Sequence, residues 1–373
     1  MIFLKNVNDV IVMYNNQIVG RLKALQDNRI AFQYDEYWLV NGFSISPFSL
    51  PLSNKIYISK YDPFDGLFGV FYDSLPDGWG ELLLNKMLMK NNINPNKISP
   101  LTKLTLIDDN CLGGLNYLPS NYDQFDNDDV YEFDTLYKLS KKLLNDKDDV
   151  NIDALYKNGG SSGGTRPKVN AIIDNEHWIV KFPSKFDSDN VSKEEYLANQ
   201  IAKECGINIP EFKLIKSKVT NGYFASKRFD RVNGRRIHTI SLSSLLETSY
   251  QIPNLDYMHL FNVIKKISVN KEEDLYEAYK RMCFNVFSYN KDDHGKNFSF
   301  IYDENRNGYV LSPSYDNTIL YNKFEHEMTV LGNGNPDKKE LLELAKMQKL
   351  SIKKCNEIID LVIEKCKVIR KSE

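Results

Sequence analysis

The sequence predicts an α+β fold, on three observations. Short runs of apolar residues alternate with polar ones up to about Tyr122, a Gly-rich stretch stands directly before a second group of such runs, and helical stretches dominate from Asp230 onwards. At 373 residues the chain exceeds a usual single domain and is long enough to bury more than one core. Hydrophobic residues at 42%, charged residues at 26% and a net charge of -2 describe a globular chain, and argue against whole-molecule attraction to nucleic acid or an anionic membrane.

The opening residues alternate apolar with polar and lack a signal-peptide core. No stretch approaches the roughly 18 to 20 apolar residues of a membrane span, so a cytoplasmic protein is expected. Cys111, Cys205, Cys283, Cys355 and Cys366 are scattered with no CxxC pair, and neither a disulfide framework nor a zinc site is expected from them.

Strands are expected at Val10 to Met13, Ile30 to Tyr34 and Lys55 to Ile58, each bounded by Asn, Gly or Pro, and then a helix from Gly80 to Met89 with Asp77 as its cap. The acidic, Asn-rich stretch Ser120 to Asp134 reads as an exposed connection, which places a first domain at 1–122. A helix from Phe133 to Leu144 follows. Strands at Val169 to Ile173 and Trp178 to Phe182 flank the turn Asp174-Asn175; a helix at Ser192 to Cys205 and strands near Glu211 to Ile215 and Gly222 to Arg228 complete a second domain, 123–229. The third, 230–373, reads as helical, including Leu275 to Tyr289 and Lys338 to Arg370, with interruptions at Asn290 to Phe300 and Val310 to Tyr321.

The interruptions hold the chemistry. A Gly-rich loop, a lysine on the following strand and a helix behind it form the order of a kinase small lobe. Phosphoryl transfer needs an oriented nucleophile, held metals and fixed donors around the phosphate. In Asn290-Lys291-Asp292-Asp293-His294-Gly295-Lys296-Asn297 the spacing from Asp292 to Asn297 is that of a kinase catalytic loop, where a carboxylate takes the hydroxyl proton and a carboxamide binds Mg²⁺. Asp316, about twenty residues on and beyond a turn, suits the second metal position; an Asx turn before Asn317 is the alternative.

Lys181 sits in an alternating strand, where a charge among apolar neighbours suits phosphate contact or a snorkelling edge lysine. Glu195 fits a pairing with Lys181 and equally a capping box with Ser192. The glycines from Gly159 to Gly164 offer backbone donors to phosphate, with Arg166 and Lys168 as cationic support, and a hydroxyl at Ser161 or Ser162 is open to phosphorylation. His294 braces the catalytic loop or meets the nucleotide, and Lys296 either neutralises the transferred phosphate or is an ordinary solvated lysine. Lys227 and the backbone at Arg228 fall where a hinge strand is expected, with Asp230 placed for a ribose.

Six motifs in one order, Leu75-Pro76-Asp77-Gly78-Trp79-Gly80, Gly163-Gly164-Thr165-Arg166-Pro167-Lys168, Ile179-Val180-Lys181-Phe182-Pro183, Arg228-Phe229-Asp230-Arg231, Asp292 to Ser299 and Leu311 to Asp316, span most of the chain. Together they resemble the HipA family of serine/threonine kinases, the toxin halves of bacterial type II toxin-antitoxin pairs. The resemblance implies a bilobal protein-kinase-like fold with an additional amino-terminal β-rich subdomain and a helical large lobe, using ATP and Mg²⁺. It implies Asp292 as the base, Asn297 and Asp316 as Mg²⁺ ligands, Lys181 as the ATP lysine and Ser161 as the autophosphorylated serine. It also implies a separate helix-turn-helix antitoxin, through which alone DNA is met, and an aminoacyl-tRNA synthetase as substrate. Two points stay open: Ser162 stands beside Ser161, and Asp293 beside Asp292, although spacing to Asn297 favours Asp292. A small-molecule or lipid kinase and a non-catalytic partner-binding module are the competing readings.

Overall fold

The computed structural model describes residues 4, 6–122, 131–145, 150–320 and 323–370. Part of the expected acidic connection, 123–130, lies outside the described residues. Strands and helices are mixed throughout, as an α+β chain requires. The chain forms two compact units: the first comprises Met1–Ser192, Leu214–Ile240 and Ser244–Ser249, the second Lys193–Lys213, Ser241–Ser243 and Tyr250–Glu373.

In the first unit, five strands lie side by side in the order Tyr57–Ile58, Ile30–Tyr34, Gln17–Ala24, Asp9–Tyr14 and Leu115–Leu118. Their alternation is a burial pattern: Val10, Val12 and Tyr14 point inward and their neighbours do not, because successive side chains of a strand face opposite ways. The second sheet has the order Lys168–Ile173, Glu176–Lys181, Tyr223–Lys227, Phe212–Ile215. Its first hairpin turns on Asp174 and Asn175, both at positive φ (54° and 62°), the geometry that suits a tight turn to the twist of its strands.

One apolar core joins the amino-terminal domain to this second sheet. Trp79, Leu83, Leu84 and Met87 of the helix Gly78–Lys90 bury with Leu155 and Tyr156 and with Val169, Trp178, Val180 and Tyr223 of the sheet. Burying each such side chain contributes about 1.5–3 kcal/mol, so the helix start is fixed against the strands that follow the Gly-rich loop.

The second unit is built around the helix Lys271–Phe287, whose Ala278, Tyr279, Met282, Cys283 and Phe284 are wholly buried. The helix Tyr257–Ile267 begins with a capping box, Asp256 with His259, and Lys338–Met347 with another, Asp337 with Glu340. The expected helix over 338–370 is two, Lys338–Met347 and Ile352–Arg370, because Lys349 at φ +60° cannot continue either. The helix Val191–Glu204 starts one residue before Ser192, which therefore lies inside its first turn. A hairpin, Ser299–Asp303 with Gly308–Leu311, separates the two interruptions, as expected. Among the described residues no helix is long and apolar enough to cross a membrane, and all five cysteines are buried as thiols outside any disulfide.

Candidate active site

The helix Lys271–Phe287 ends where Tyr289 takes φ +58°, and the chain turns into the loop 290–297. A buried relay holds that turn. Asn290 donates to Asn285 (2.9 Å), Asn285 to the Tyr257 hydroxyl (2.9 Å), and that hydroxyl to Asp293 Oδ2 (2.7 Å). Asp293 is fully buried; its Oδ2 also meets His326 Nδ1 (3.0 Å) and its Oδ1 accepts the Glu327 N–H (3.0 Å). Unionised Tyr257 is the consistent donor, since burial, with the Asp293 charge beside it, pushes its pKa well up.

Asp292 is differently placed. Its side chain is 39% exposed, and Oδ1 lies 2.5 Å from Lys323 Nζ. Asn297 donates its carboxamide N–H to the Asp292 carbonyl (2.5 Å), and its backbone N–H to the His294 carbonyl (2.9 Å), which closes a short 3₁₀ turn. Of the two adjacent carboxylates, Asp293 is thus an internal anchor, and Asp292 is the one presented at the surface of this unit. The His294 ring packs against Tyr250 at 5.3 Å between centroids, and its buried Nδ1 has no hydrogen-bond partner among the described residues. The bracing hydrogen bond expected of this ring is not made by that nitrogen. Lys296 lies 4.8 Å over the Tyr250 ring.

The stretch carrying Asp316 is stitched to this loop and to the central helix. Leu311 N–H donates to Asp274 (2.8 Å) and Arg281, paired with Glu277, donates to the Ser312 carbonyl (2.6 Å). Beyond them Tyr315 donates to the Lys296 carbonyl (2.5 Å), Thr318 to Asn290 (3.2 Å) and Leu320 N–H to the Tyr289 carbonyl (3.0 Å). Asp316 sits between these ties at φ +53°, a conformation Asp tolerates better than most residues. A carboxylate and a carboxamide are hard oxygen donors of the class Mg²⁺ takes, alongside phosphate and water. With the Asn297 nitrogen committed to the loop, its Oδ1 accepts no hydrogen bond among the described residues, so the donor set fits that ion. Among the described residues no group of three or more His, Cys, Asp or Glu side chains makes a self-sufficient metal cage, and a substrate-assisted site needs none.

In the first unit the Gly-rich loop is gripped by the Leu75 to Gly80 motif. Asp77, expected as a helix cap, makes no side-chain cap hydrogen bond; its Oδ1 accepts the Gly164 N–H. Trp79 N–H donates to the Gly164 carbonyl (2.8 Å) and its indole N–H to the Lys168 carbonyl (3.1 Å). Lys168 is buried and donates back to the Gly163 carbonyl (2.5 Å). Ser161 and Ser162 are buried too; Ser162 donates to the Gly159 carbonyl (2.6 Å), and burial raises the Asp108 carboxyl above its ordinary range, opposed by the hydrogen bonds from Asn110. A Cβ at Gly80 would stand 2.1 Å from the Ser162 carbonyl oxygen, a backbone atom. Gly80→Ala is therefore expected to cost about 1–3 kcal/mol by overpacking and to loosen the loop, read as a lower melting temperature and faster amide exchange at Gly163 and Gly164.

The remaining candidates are placed as follows. Lys181 ends its strand with Nζ 5.8 Å over the Phe224 ring and Lys168 opposite it in register. Arg166 pairs with Asp187 (3.1 Å) and Lys227 with Glu176 (2.8 Å). Asp230 does not fit the ribose contact expected of it. It is buried, with Arg228 on both oxygens (2.8 and 2.6 Å), Arg231 at 3.0 Å and the Gly113 N–H at 2.7 Å. Both guanidiniums continue to the Cys111 carbonyl, so the cluster locks the turn before Leu115 to the strand end after Lys227.

Residues 160–369 match the family model described as "HipA-like C-terminal domain", and residues 10–118 that of the "HipA N-terminal domain". The chain belongs to the HipA family. Among similar proteins, "Putative kinase Y4dM" of Sinorhizobium fredii is 26% identical over 361 residues, covering 90% of this chain and 84% of that protein. A "Putative kinase" of Haemophilus influenzae is 26% identical over 189 residues, 45% of this chain and 54% of its own. HipA of Shewanella oneidensis MR-1, solved with HipB and operator DNA, superposes with a TM-score of 0.71 at 16% identity over 97% of this chain and 90% of its own, which shows the HipA fold. Sequence reasoning missed Lys323 and the loop contacts of Asp77 and Trp79 in this HipA-family chain. For Lys323 no local pattern existed, since its partner lies 31 residues away.

Proposed function

We propose that the chain is an ATP- and Mg²⁺-dependent serine/threonine protein kinase, acting in the cytoplasm as the toxin of a type II toxin-antitoxin pair. The observation that carries this reading is the exposed Asp292 carboxylate in a loop tied down on both sides of it, through Asn290 before it and through Asp293 and Asn297 after it. A general base has to be reachable while its backbone stays still. In this reading Asp292 orients and deprotonates the acceptor hydroxyl, and Asn297 and Asp316 hold Mg²⁺, which supplies charge neutralisation at the phosphates. Lys181 and the Gly159 to Lys168 loop hold the nucleotide phosphates, and Arg166, paired with Asp187, joins them by exchanging that partner. His294, with its unpartnered Nδ1, meets the nucleotide. Ser161 or Ser162 takes the autophosphorylation, and must first leave its buried position.

The HipB partner and operator DNA in the Shewanella HipA complex support a separate helix-turn-helix antitoxin as the partner here, with DNA met only through it. An aminoacyl-tRNA synthetase is the proposed substrate. Incubation with γ-labelled ATP and a bacterial lysate is expected to place label on serine or threonine of a protein of translation, and to lose it when Mg²⁺ is chelated. Label confined to a small-molecule fraction would overturn the protein-kinase reading, and absence of both label and nucleotide binding would make the chain a binding module.

A further inference from the structure

Three consecutive residues of the candidate catalytic loop each hold the same stretch of chain. Lys291 Nζ donates to the Phe324 carbonyl (2.8 Å) and to Asn335 (3.1 Å), Asp292 pairs with Lys323 (2.5 Å), and Asp293 takes His326 and the Glu327 N–H. Further along, Asp256 Oδ2 accepts from Thr329 Oγ1 (2.7 Å) and the Gly332 N–H (2.9 Å). The position of Lys323 is therefore set from its carboxy-terminal side. An isolated exposed Lys-Asp pair would carry no inference, because such pairs contribute little and wander. Here the backbone on the carboxy-terminal side is pinned at Phe324, Glu327 and Gly332, and Glu327 holds Nζ from a second direction (2.8 Å).

We infer that Lys323 is a catalytic residue of the proposed phosphoryl transfer: the ammonium that leaves Asp292 for the transferred phosphoryl group as the acceptor hydroxyl takes its place. This rests on the kinase reading. The hydroxyl oxygen bonds to the γ-phosphorus, the bond from that phosphorus to the bridging oxygen breaks, ADP departs with the electron pair, and the hydroxyl proton goes to Asp292. Lys323 transfers no proton; it donates hydrogen bonds to the phosphoryl oxygens, where charge is spread in the transition state. The two carboxylates suit this role. Burial acts against the charge, yet the hydrogen bonds that Lys323 donates to Asp292 and Glu327 carry its pKa above its ordinary value, so the group is a cation at any physiological pH. Lys296, the lysine that spacing nominates, lies over the Tyr250 ring.

The test compares the 373-residue wild-type chain with Lys323→Met and Lys323→Arg, measuring autophosphorylation or protein-substrate turnover against ATP concentration, with melting temperatures alongside. Expected is a fall in kcat of about 100-fold or more for Lys323→Met, an ATP KM within about threefold of wild type, partial recovery in Lys323→Arg, and melting within a few degrees of wild type. A structural latch would move KM and melting temperature with kcat and gain nothing from arginine; that pattern overturns the inference. Equal or higher kcat in Lys323→Met overturns it as well, and would make the pair an inhibitory plug. An inactive wild-type chain overturns the kinase reading itself, and the inference with it.

Discussion

Asp292→Ala is expected to lower phosphoryl transfer by a factor of about 10²–10⁴ while leaving the fold in place. The two halves of this expectation come from different features. The loss follows from removing the group proposed to receive the hydroxyl proton, whose carboxylate is reachable from solvent. The retained fold follows from what Asp292 does not hold: among the described residues its side chain makes only the half-exposed pair with Lys323, worth about 0–1 kcal/mol. The contact that shapes the loop uses its backbone carbonyl, which alanine keeps. Single-turnover assays with labelled ATP, run beside a thermal melt, check both halves. Unchanged transfer would remove Asp292 from its role, and a collapsed melt would show that the loop depends on this carboxylate for structure.

The largest expected effect on stability is at Asp230. Asp230→Asn leaves Arg228 and Arg231 facing each other in the interior with no carboxylate between them. Breaking a buried ion pair from one side costs about 3–5 kcal/mol, because the remaining charge is desolvated and uncompensated. Burial alone would raise the Asp230 pKa, but the two guanidiniums hold it well below the ordinary carboxylate range. A carboxylate depressed in the folded state contributes stability above its unfolded pKa of about 3.9, and loses it as pH falls from there toward the folded value. Urea melts of wild type and variant are expected to differ most at neutral pH and to converge below about pH 4. A gap that does not change with pH would refute the ion-pair account.

The parts of this fold that depend on neighbours in sequence were readable from it. Period-two alternation located the strands Asp9–Tyr14, Ile30–Tyr34, Lys168–Ile173 and Glu176–Lys181 but not Gln17–Ala24 or Leu115–Leu118, and Asp174-Asn175 marked a hairpin whose two residues both take positive φ. The spacing from Asp292 to Asn297 placed them in one short loop, joined by a hydrogen bond. What spacing could not supply is long-range pairing. Asp77 has the form of a cap, yet its carboxylate goes to an amide 87 residues away. Asp230 stands between Arg228 and Arg231, and that flanking charge was the available sign of a buried ion cluster over a ribose ligand. The single helix expected over 338–370 breaks at Lys349, because helical periodicity on both sides says nothing of one residue's φ between them.

The stretch from His326 to Asn333 contains little repeating structure, yet Asp293 and Asp256 hold its amides and hydroxyls as a ladder would. Its ordering entropy is spent when the chain folds. A polypeptide laid across it meets a bench already set, and the free energy of that encounter goes into fit and not into freezing a coil.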